Sequence, residues 1–171
     1  MKTIIIIGSA RRNGNTVKIT QFVQEKTNWE VINLSDYHIG HYDYEHKNAT
    51  DDFLPLMDKI VEQYDRFVFA TPVYWYSMSG IMKVFFDRFT DLVSIRKDLG
   101  RALKGKQMAV ISSSGGDNLG KQFWLPFARS AEYLEMIFIQ GLHTELIEDK
   151  ISAKEKNRIL SFVKMIQDFK D

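Results

Sequence analysis

Short, almost wholly apolar runs alternate along the chain with longer segments in which apolar residues recur every three or four positions. Runs of the first kind are typical of strands buried on both faces of a parallel sheet, and segments of the second kind of amphipathic helices. The pattern predicts strands at Thr3–Ile7, Glu30–Leu34, Arg66–Thr71, Gln107–Ser112 and Met136–Gly141. It predicts helices at Asn15 to about Lys26, Asp51–Tyr64, Gly80 to about Val93, Leu119 to about Glu135, and Ser152–Phe169.

This regular alternation predicts an α/β fold in three layers, with a doubly wound, five-stranded parallel sheet between helices. A chain of 171 residues is long enough for one compact domain, which we expect to cover residues 1–171. Pro126 predicts a kink in the fourth helix, and Ser152 with Glu155 predicts a capped start for the last one. Right-handed crossovers place every strand-to-helix loop at the carboxyl edge of the sheet, so a ligand is expected there.

The composition narrows the chemistry and the partners. The chain has no cysteine, which excludes disulfides, thiol nucleophiles and iron–sulfur sites. Its formal net charge of +1 gives no bulk field that would attract nucleic acid or an anionic membrane. The apolar run Ile4–Ile7 is too short for a signal peptide and no run approaches membrane-spanning length, so we expect a cytoplasmic protein.

The loop after the first strand, Gly8–Thr16, is typical of a phosphate site because it leads into the N-terminus of a helix. It lacks the Gly-Lys-Ser/Thr ending of a Walker loop, and Ala10 replaces the second glycine of a dinucleotide fingerprint. A terminal monoester phosphate, such as that of riboflavin phosphate, fits this loop better, although a polar turn with an Asn or Thr helix cap remains the alternative. The candidate ligands are short polar side chains and a cation: Ser9, Asn13, Asn15 and Thr16, with Arg11 or Arg12.

Two further loops follow strands at the same predicted edge. Tyr74, Trp75 and Tyr76 are three consecutive aromatic residues, which could flank a flat ring or contact another subunit. The helix after them is apolar nearly all round, which predicts burial of its second side against a partner subunit. The run Ser112–Asp117 consists mainly of small residues, which allow close backbone approach to a ligand but are also common in ordinary turns.

In order and spacing, Gly8–Thr16, Thr71–Trp75 and Ser114–Gly116 resemble the motifs of the flavodoxin-like NAD(P)H-dependent FMN reductases, over nearly the whole chain. The resemblance implies non-covalent FMN, the strand order 2-1-3-4-5, and a homodimer or homotetramer with the flavin near the subunit boundary. It also implies three groups of cofactor-binding residues. These are Ser9, Arg11, Asn13, Asn15 and Thr16 at the phosphate, Pro72, Val73, Tyr74 and Trp75 along the isoalloxazine ring, and Ser114, Gly115 and Gly116 at its other edge.

The sequence departs from the family in the irregular segment Ser35–Thr50 and at Ala10, where relatives have proline. Related iron–sulfur flavoproteins carry a cysteine cluster after the second strand, and the absence of cysteine excludes one here. The segment does contain potential zinc ligands: His38, His41, Asp43 and His46. Their spacing matches no zinc template, so we interpret the segment as a solvated loop or a substrate lid.

The resemblance implies an oxidoreductase that passes a hydride from NAD(P)H to FMN. The reduced flavin would then reduce a small-molecule acceptor: a free flavin, a quinone, a nitro- or azo-aromatic compound, or a metal ion. No catalytic acid or base is assigned, because the flavin supplies the chemistry. The alternatives are an electron-transfer flavoprotein without substrate turnover, which tends to be strongly acidic, and a non-catalytic flavodoxin-like binding protein.

Overall fold

A computed structural model describes residues 1–116, 119–146 and 150–170, so Asp117 of the predicted serine- and glycine-rich loop lies outside the described residues. The strands are β1 (Thr3–Ile7), β2 (Glu30–Asn33), β3 (Arg66–Tyr74), β4 (Ser77–Met78), β5 (Gln107–Ser114) and β6 (Ile137–Glu145). The α-helices are α1 (Asn15–Thr27), α2 (Phe53–Gln63), α3 (Gly80–Asp87), α4 (Phe89–Ser94), α5 (Lys97–Ala102), α6 (Leu125–Tyr133) and α7 (Ala153–Asp168). Two 3₁₀ turns, Leu34–Asp36 and Lys121–Trp124, precede α2 and α6.

The sheet has the order β2-β1-β3-β5-β6, and all these neighbours pair in parallel. The two-residue strand β4 lies off this path and pairs with the end of β3 in an antiparallel hairpin. Without β4, the order along the chain is 2-1-3-4-5, which confirms the predicted doubly wound sheet. Ile7 at the end of β1 lies opposite Asn33 and Ala70, so the strand ends meet at one edge.

The core occupies both faces of the sheet. Ile5 and Val68 belong to an apolar cluster shared with α1 and α7, whereas Ile4, Ile6 and Phe69 belong to one shared with α2, α3, α4 and α6. Because successive side chains of a strand point to opposite faces, a strand of continuous isoleucines supplies both clusters. This confirms the three predicted layers.

The predicted helix Gly80–Val93 is in fact two helices, with Arg88 at the break between α3 and α4. Arg88 is only 1% exposed and donates hydrogen bonds to Asp51 and Asp91, which fix the chain at this corner. The aromatic side chains Phe86 and Phe89 are buried against the chain's own core. These helices therefore do not need a partner subunit to cover their buried apolar residues.

The predicted kink at Pro126 is wrong, because α6 begins later than the sequence pattern indicates. The chain first makes the 3₁₀ turn Lys121–Trp124, and Pro126 then lies in the first turn of α6. At that position the missing N–H of proline costs no helical hydrogen bond.

Helix α7 is capped at its N-terminus as predicted. The Ser152 hydroxyl accepts a hydrogen bond of 3.2 Å from the Glu155 backbone N–H. The Glu155 carboxylate turns to Arg158. Within the described ranges, no helix is both long enough and apolar enough to pass through a bilayer.

Candidate functional site

The loop between β1 and α1 is tied closely to the centre of the sheet. Its first residue, Gly8, donates a backbone hydrogen bond of 2.8 Å to the Ala70 carbonyl at the end of β3. A Cβ on Gly8 would lie 2.8 Å from the Cβ of Met82 in α3, so only glycine allows this approach. The loop is thereby set between β3 and α3.

The N-terminus of α1 faces the loop without a side-chain cap. Gly14 is the N-cap residue, and no side chain accepts a hydrogen bond from the first turn at that point. The N–H groups of Asn15, Thr16 and Val17 have no carbonyl partner within the helix, because the first turn never does. Together with the helix dipole, these donors form an anion-binding position.

The side chains of the loop differ in what they can offer an anion. The Ser9 hydroxyl accepts from the Arg11 N–H at 3.3 Å, so it shapes the turn. Arg12 is paired with Asp36 at 2.6 Å, which leaves Arg11 as the cation that lines the cavity. Asn13 is exposed and lines neither cavity described below, so the structure does not bring this predicted ligand to the site.

A buried pair of hydroxyl groups joins α1 to β5. Thr16 Oγ1 and Ser113 Oγ lie 2.8 Å apart, and both residues are almost fully buried. One hydroxyl proton is used between them, and the other remains for a ligand. Ser113 was not among the predicted site residues, although its place beside Ser114 in a serine run after an apolar strand could have indicated it.

The three predicted loops meet in one cleft made of two adjoining cavities. The first, about 190 Å³, is lined by the phosphate-type loop together with residues of β3 and β5. The second, about 320 Å³, lies between the aromatic hairpin and the end of β5, and shares Val73 and Ser114 with the first. Every predicted cofactor-binding residue except Asn13 lines one of the two: Ser9, Arg11, Asn15, Thr16, Pro72, Val73, Tyr74, Trp75, Ser114, Gly115 and Gly116.

Two larger grooves lie elsewhere on the molecule. One of about 520 Å³ lies between α3, α4 and α6, and one of about 560 Å³ lies between β6 and α7. Neither is lined by the first turn of α1 or by the aromatic residues Tyr74, Trp75 and Tyr76. The 190 Å³ cavity is better suited to an anion than either groove. Helix N–H donors, hydroxyls and a guanidinium converge there, and its described lining residues include no carboxylate.

The aromatic residues form a strained hairpin turn at the edge of the cleft. Tyr74 pairs with Ser77, and the two turn residues Trp75 and Tyr76 both have positive φ angles, 49° and 61°. Two-residue hairpins of this kind favour Asn-Gly, and a larger side chain in this region costs about 1–3 kcal/mol. Trp75 is nevertheless 94% exposed, so the strain presents an indole to solvent beside the cleft.

Gly115 and Gly116 leave open space on the other side of the cleft. A Cβ built on either residue would meet no atom of the described residues within 4 Å, and neither residue has a positive φ. Neither the packing of the described residues nor the backbone conformation therefore requires glycine at these positions. The open backbone is suited to a ligand that lies directly against it, which is what a flat ring needs.

Ser79 connects the first two loops, and sequence reasoning missed it. Its hydroxyl donates to the Gly8 carbonyl at 2.5 Å and accepts from the Met82 N–H at 3.1 Å, which caps α3. Its backbone N–H donates to Thr71 Oγ1 at 3.0 Å. A serine directly before a predicted helix indicates an N-cap, so the capping role of Ser79 could have been predicted. Its contact with Gly8 joins residues 71 positions apart, which the local sequence pattern does not reveal.

The segment that contains the histidines is anchored by Arg88. The guanidinium donates to the carbonyls of Gly40 and Asn48 and to the carboxylate of Asp51. Burial alone would raise the pKa of Asp51, but the hydrogen bonds from Arg88 and from backbone N–H groups outweigh burial and lower it. The segment is thus held against the corner between α3 and α4.

The histidine side chains do not gather into a metal site within the described ranges. No three His, Asp or Glu side chains converge there as a metal-binding group. His46 instead lies with Nδ1 3.3 Å from the buried carboxylate of Asp91. The same Asp91 carboxylate accepts a hydrogen bond from Arg88, so this histidine lies beside the buried Arg88 ion pairs.

Comparison with known proteins agrees with this geometry. The sequence profile of a family described as NADPH-dependent FMN reductase matches residues 1–144. A protein of Bacillus subtilis, YwqN, is 31% identical over 142 residues, which are 78% of this chain and 77% of the relative. The provisional name of that relative is NAD(P)H-dependent FMN-containing oxidoreductase.

Solved structures share the fold at lower identity. The Trp repressor binding protein of Bacillus subtilis superposes with a TM-score of 0.77 at 22% identity, covering 99% of this chain and 100% of that one. General stress protein 14 of Treponema denticola, solved in complex with FMN, gives 0.73 at 19% identity, with 98% and 100% covered. These two likenesses support the flavodoxin-like architecture.

Proposed function

Since this chain belongs to the NADPH-dependent FMN reductase family, it is an FMN-dependent oxidoreductase that uses NAD(P)H, and we propose that its FMN lies in the cleft between α1, β3 and β5. The observation that carries this placement is the convergence of an uncapped helix N-terminus with an open glycine backbone in one cleft. The first suits a phosphate and the second suits a ring.

The phosphate would lie at the start of α1. The N–H groups of Asn15 and Thr16 would donate to it, Arg11 would supply positive charge, and the spare hydroxyl proton of the Thr16–Ser113 pair would complete the donors. Ser9 would hold the loop in shape. Asn13 would contribute only if its exposed side chain turned toward the ligand.

The ring would lie between the aromatic hairpin and the end of β5. Pro72, Val73 and Tyr74 would line one side, with the backbone at Gly115 and Gly116 against the other edge. Bound FMN supplies hydride acceptance and electron donation, so the chain's task is to bind and orient it. The exposed Trp75 leaves an aromatic surface at the mouth, which would stack a nicotinamide or a flat acceptor.

The acceptor class we propose is therefore a flat aromatic compound: a free flavin, a quinone, or a nitro- or azo-aromatic compound. The test is a steady-state assay of NADPH and NADH oxidation by the FMN-loaded protein with each acceptor in turn, beside a Trp75→Ala variant. A higher KM for aromatic acceptors in the variant supports the proposal. Equal KM values would contradict stacking on Trp75, and no turnover with any acceptor would favour an electron carrier.

The phosphate placement has its own test. The apoprotein should bind FMN more tightly than riboflavin, by about tenfold or more, because charge-assisted hydrogen bonds to the phosphate contribute about 1.5–3 kcal/mol. Isothermal titration with both flavins measures the difference. Equal affinity for FMN and riboflavin would contradict the placement of the phosphate at the start of α1.

We further propose that residues 1–171 act as one FMN-binding domain in the cytoplasm, as a homodimer or homotetramer. The apolar surface that supports an oligomer is the exposed hairpin with Tyr76, and Leu125 and Tyr133 of α6. The buried part of α3 gives no such support, since its own chain covers it. Light scattering during size exclusion tests the assembly, and a monomer at micromolar concentration would contradict it.

A further inference from the structure

His143 of β6 reaches across to the end of β5 and contacts three groups there. Its Nδ1 lies 2.9 Å from Ser112 Oγ, and its Nε2 lies 3.0 Å from Ser114 Oγ and 2.8 Å from the Gly116 carbonyl oxygen. Ser112 lies opposite His143 in the register of the two strands, and Ser114, two residues on, shares its face. One imidazole thus links the end of β5 to the first residues of the loop that follows it.

The partners of His143 fix its tautomer. The Gly116 carbonyl can only accept, so Nε2 carries the proton that lies between this oxygen and Ser114 Oγ. Nδ1 then accepts from the Ser112 hydroxyl in the neutral imidazole. Ser114 Oγ also donates to the Gly116 carbonyl and accepts from the Gly116 N–H, which closes a small network.

A nucleophilic role for this serine–histidine cluster does not fit the contacts. A triad needs a third group that orients the histidine, usually a carboxylate. Within the described residues, both ring nitrogens of His143 are used by hydroxyls and a carbonyl, and no carboxylate contacts the ring. Arg158, which is paired with Glu155, donates to the backbone carbonyl of His143 and not to its ring.

What the network does control is the shape of the glycine loop. Gly116 and Ser114 line the ring-end cavity, and among the described residues no atom lies within 4 Å of a Cβ built on Gly115 or Gly116. The observed side-chain hydrogen bonds to the Gly116 carbonyl come from His143 and Ser114, and His143 links that carbonyl to β6. This hydrogen bond therefore ties the backbone of the loop to the neighbouring strand.

We propose that His143 is a positioning residue that holds the Ser114–Gly116 backbone in the conformation the flavin ring requires. This inference rests on the proposed function, because it assumes that the ring lies against that backbone. It assigns His143 no contact with the reacting atoms.

Three substitutions separate positioning from general stability. In His143→Gln, the amide nitrogen takes the place of Nε2 and keeps the donor to Gly116. In His143→Asn, the amide reaches only the place of Nδ1, beside Ser112, and His143→Leu removes both. Thr144→Val is the matched control, because it removes a buried hydroxyl that donates to the Ser112 carbonyl at 2.9 Å without touching Ser114 or Gly116.

The measurements are FMN dissociation constants of the apoproteins, the visible absorption spectrum of bound FMN, and thermal unfolding without FMN. The loss of the donor to Gly116, which the Asn and Leu variants share, predicts about tenfold weaker FMN binding in both, with an altered flavin spectrum. The Gln variant should stay within about threefold of wild type, since it keeps the donor to Gly116. Thr144→Val should lower thermal stability but not FMN affinity.

Two results would overturn the assignment while the wild type still binds FMN. The first is equal FMN affinity and spectrum in all three variants. The second is a loss that follows thermal stability across the series, with no rescue by Gln. A wild-type protein that binds no FMN would defeat the proposed function itself, and this inference with it.

Discussion

Alanine substitution at Gly115 or Gly116 should weaken FMN binding without destabilising the protein. Without a ligand, a Cβ at either position meets no atom within 4 Å in the part of the chain that the structure describes, and neither φ angle excludes alanine. Replacing glycine at such a position stabilises the folded state by about 0.4–1 kcal/mol, because the unfolded chain loses conformational freedom. If the ring lies against this backbone, the added methyl overpacks the complex by about 1–3 kcal/mol.

That free energy corresponds to an affinity loss of about five- to 150-fold. Unfolding of the apoproteins in guanidinium measures the change in the free energy of unfolding. Quenching of FMN fluorescence on titration measures the change in FMN affinity. Gly80→Ala is the matched control, because Gly80 also has open space around a Cβ but lies outside the cleft. Wild-type FMN affinity in both Gly115→Ala and Gly116→Ala would refute the claim that the ring approaches this backbone.

Three further predictions concern the Arg88 corner and the phosphate end of the cleft. Arg88→Met should lower the free energy of unfolding by about 3–5 kcal/mol, because it leaves the buried carboxylates of Asp51 and Asp91 unpaired. Arg129→Met removes an exposed ion pair and should change this free energy little, and denaturant titration compares the two variants. Thr16→Val and Ser113→Ala should each weaken FMN binding, and their effects should be non-additive in a double-mutant cycle, because the two hydroxyls act as a pair. The pKa of Asp51 is lower in the folded state than its ordinary value of 3.8, so its stabilising contribution is present above 3.8 and is lost as the pH falls through the folded value. The free energy of unfolding, measured as the pH is lowered, should therefore fall less steeply in Asp51→Asn than in wild type.

The sheet and its ligand edge could be predicted because they depend on local signals. Continuous apolar runs marked the strands, and the Gly8–Thr16 loop marked the helix N-terminus that follows β1. The main errors lie where distant residues decide the local structure. Arg88 breaks the predicted helix Gly80–Val93 because it bonds residues that lie 37 to 48 positions earlier, and no periodicity reveals that.

The site shows the same division. Its glycines and aromatics were recognised from motif order, but the cross-strand partners were not. Ser113 meets Thr16 across 97 residues, and His143 meets Ser114 across 29, so both contacts depend on strand order and register. The aromatic residues were expected in a loop, whereas β3 continues through Tyr74 and only Trp75 and Tyr76 form the turn.

FMN bound in this cleft should take electrons from NAD(P)H. The most direct measurement is the visible absorbance of the FMN-loaded protein while NADPH, and separately NADH, is added in the absence of oxygen. We expect loss of the flavin bands within seconds of mixing with at least one of the two, and their return when an acceptor is added. Flavin bands that stay unchanged with both nucleotides would contradict it.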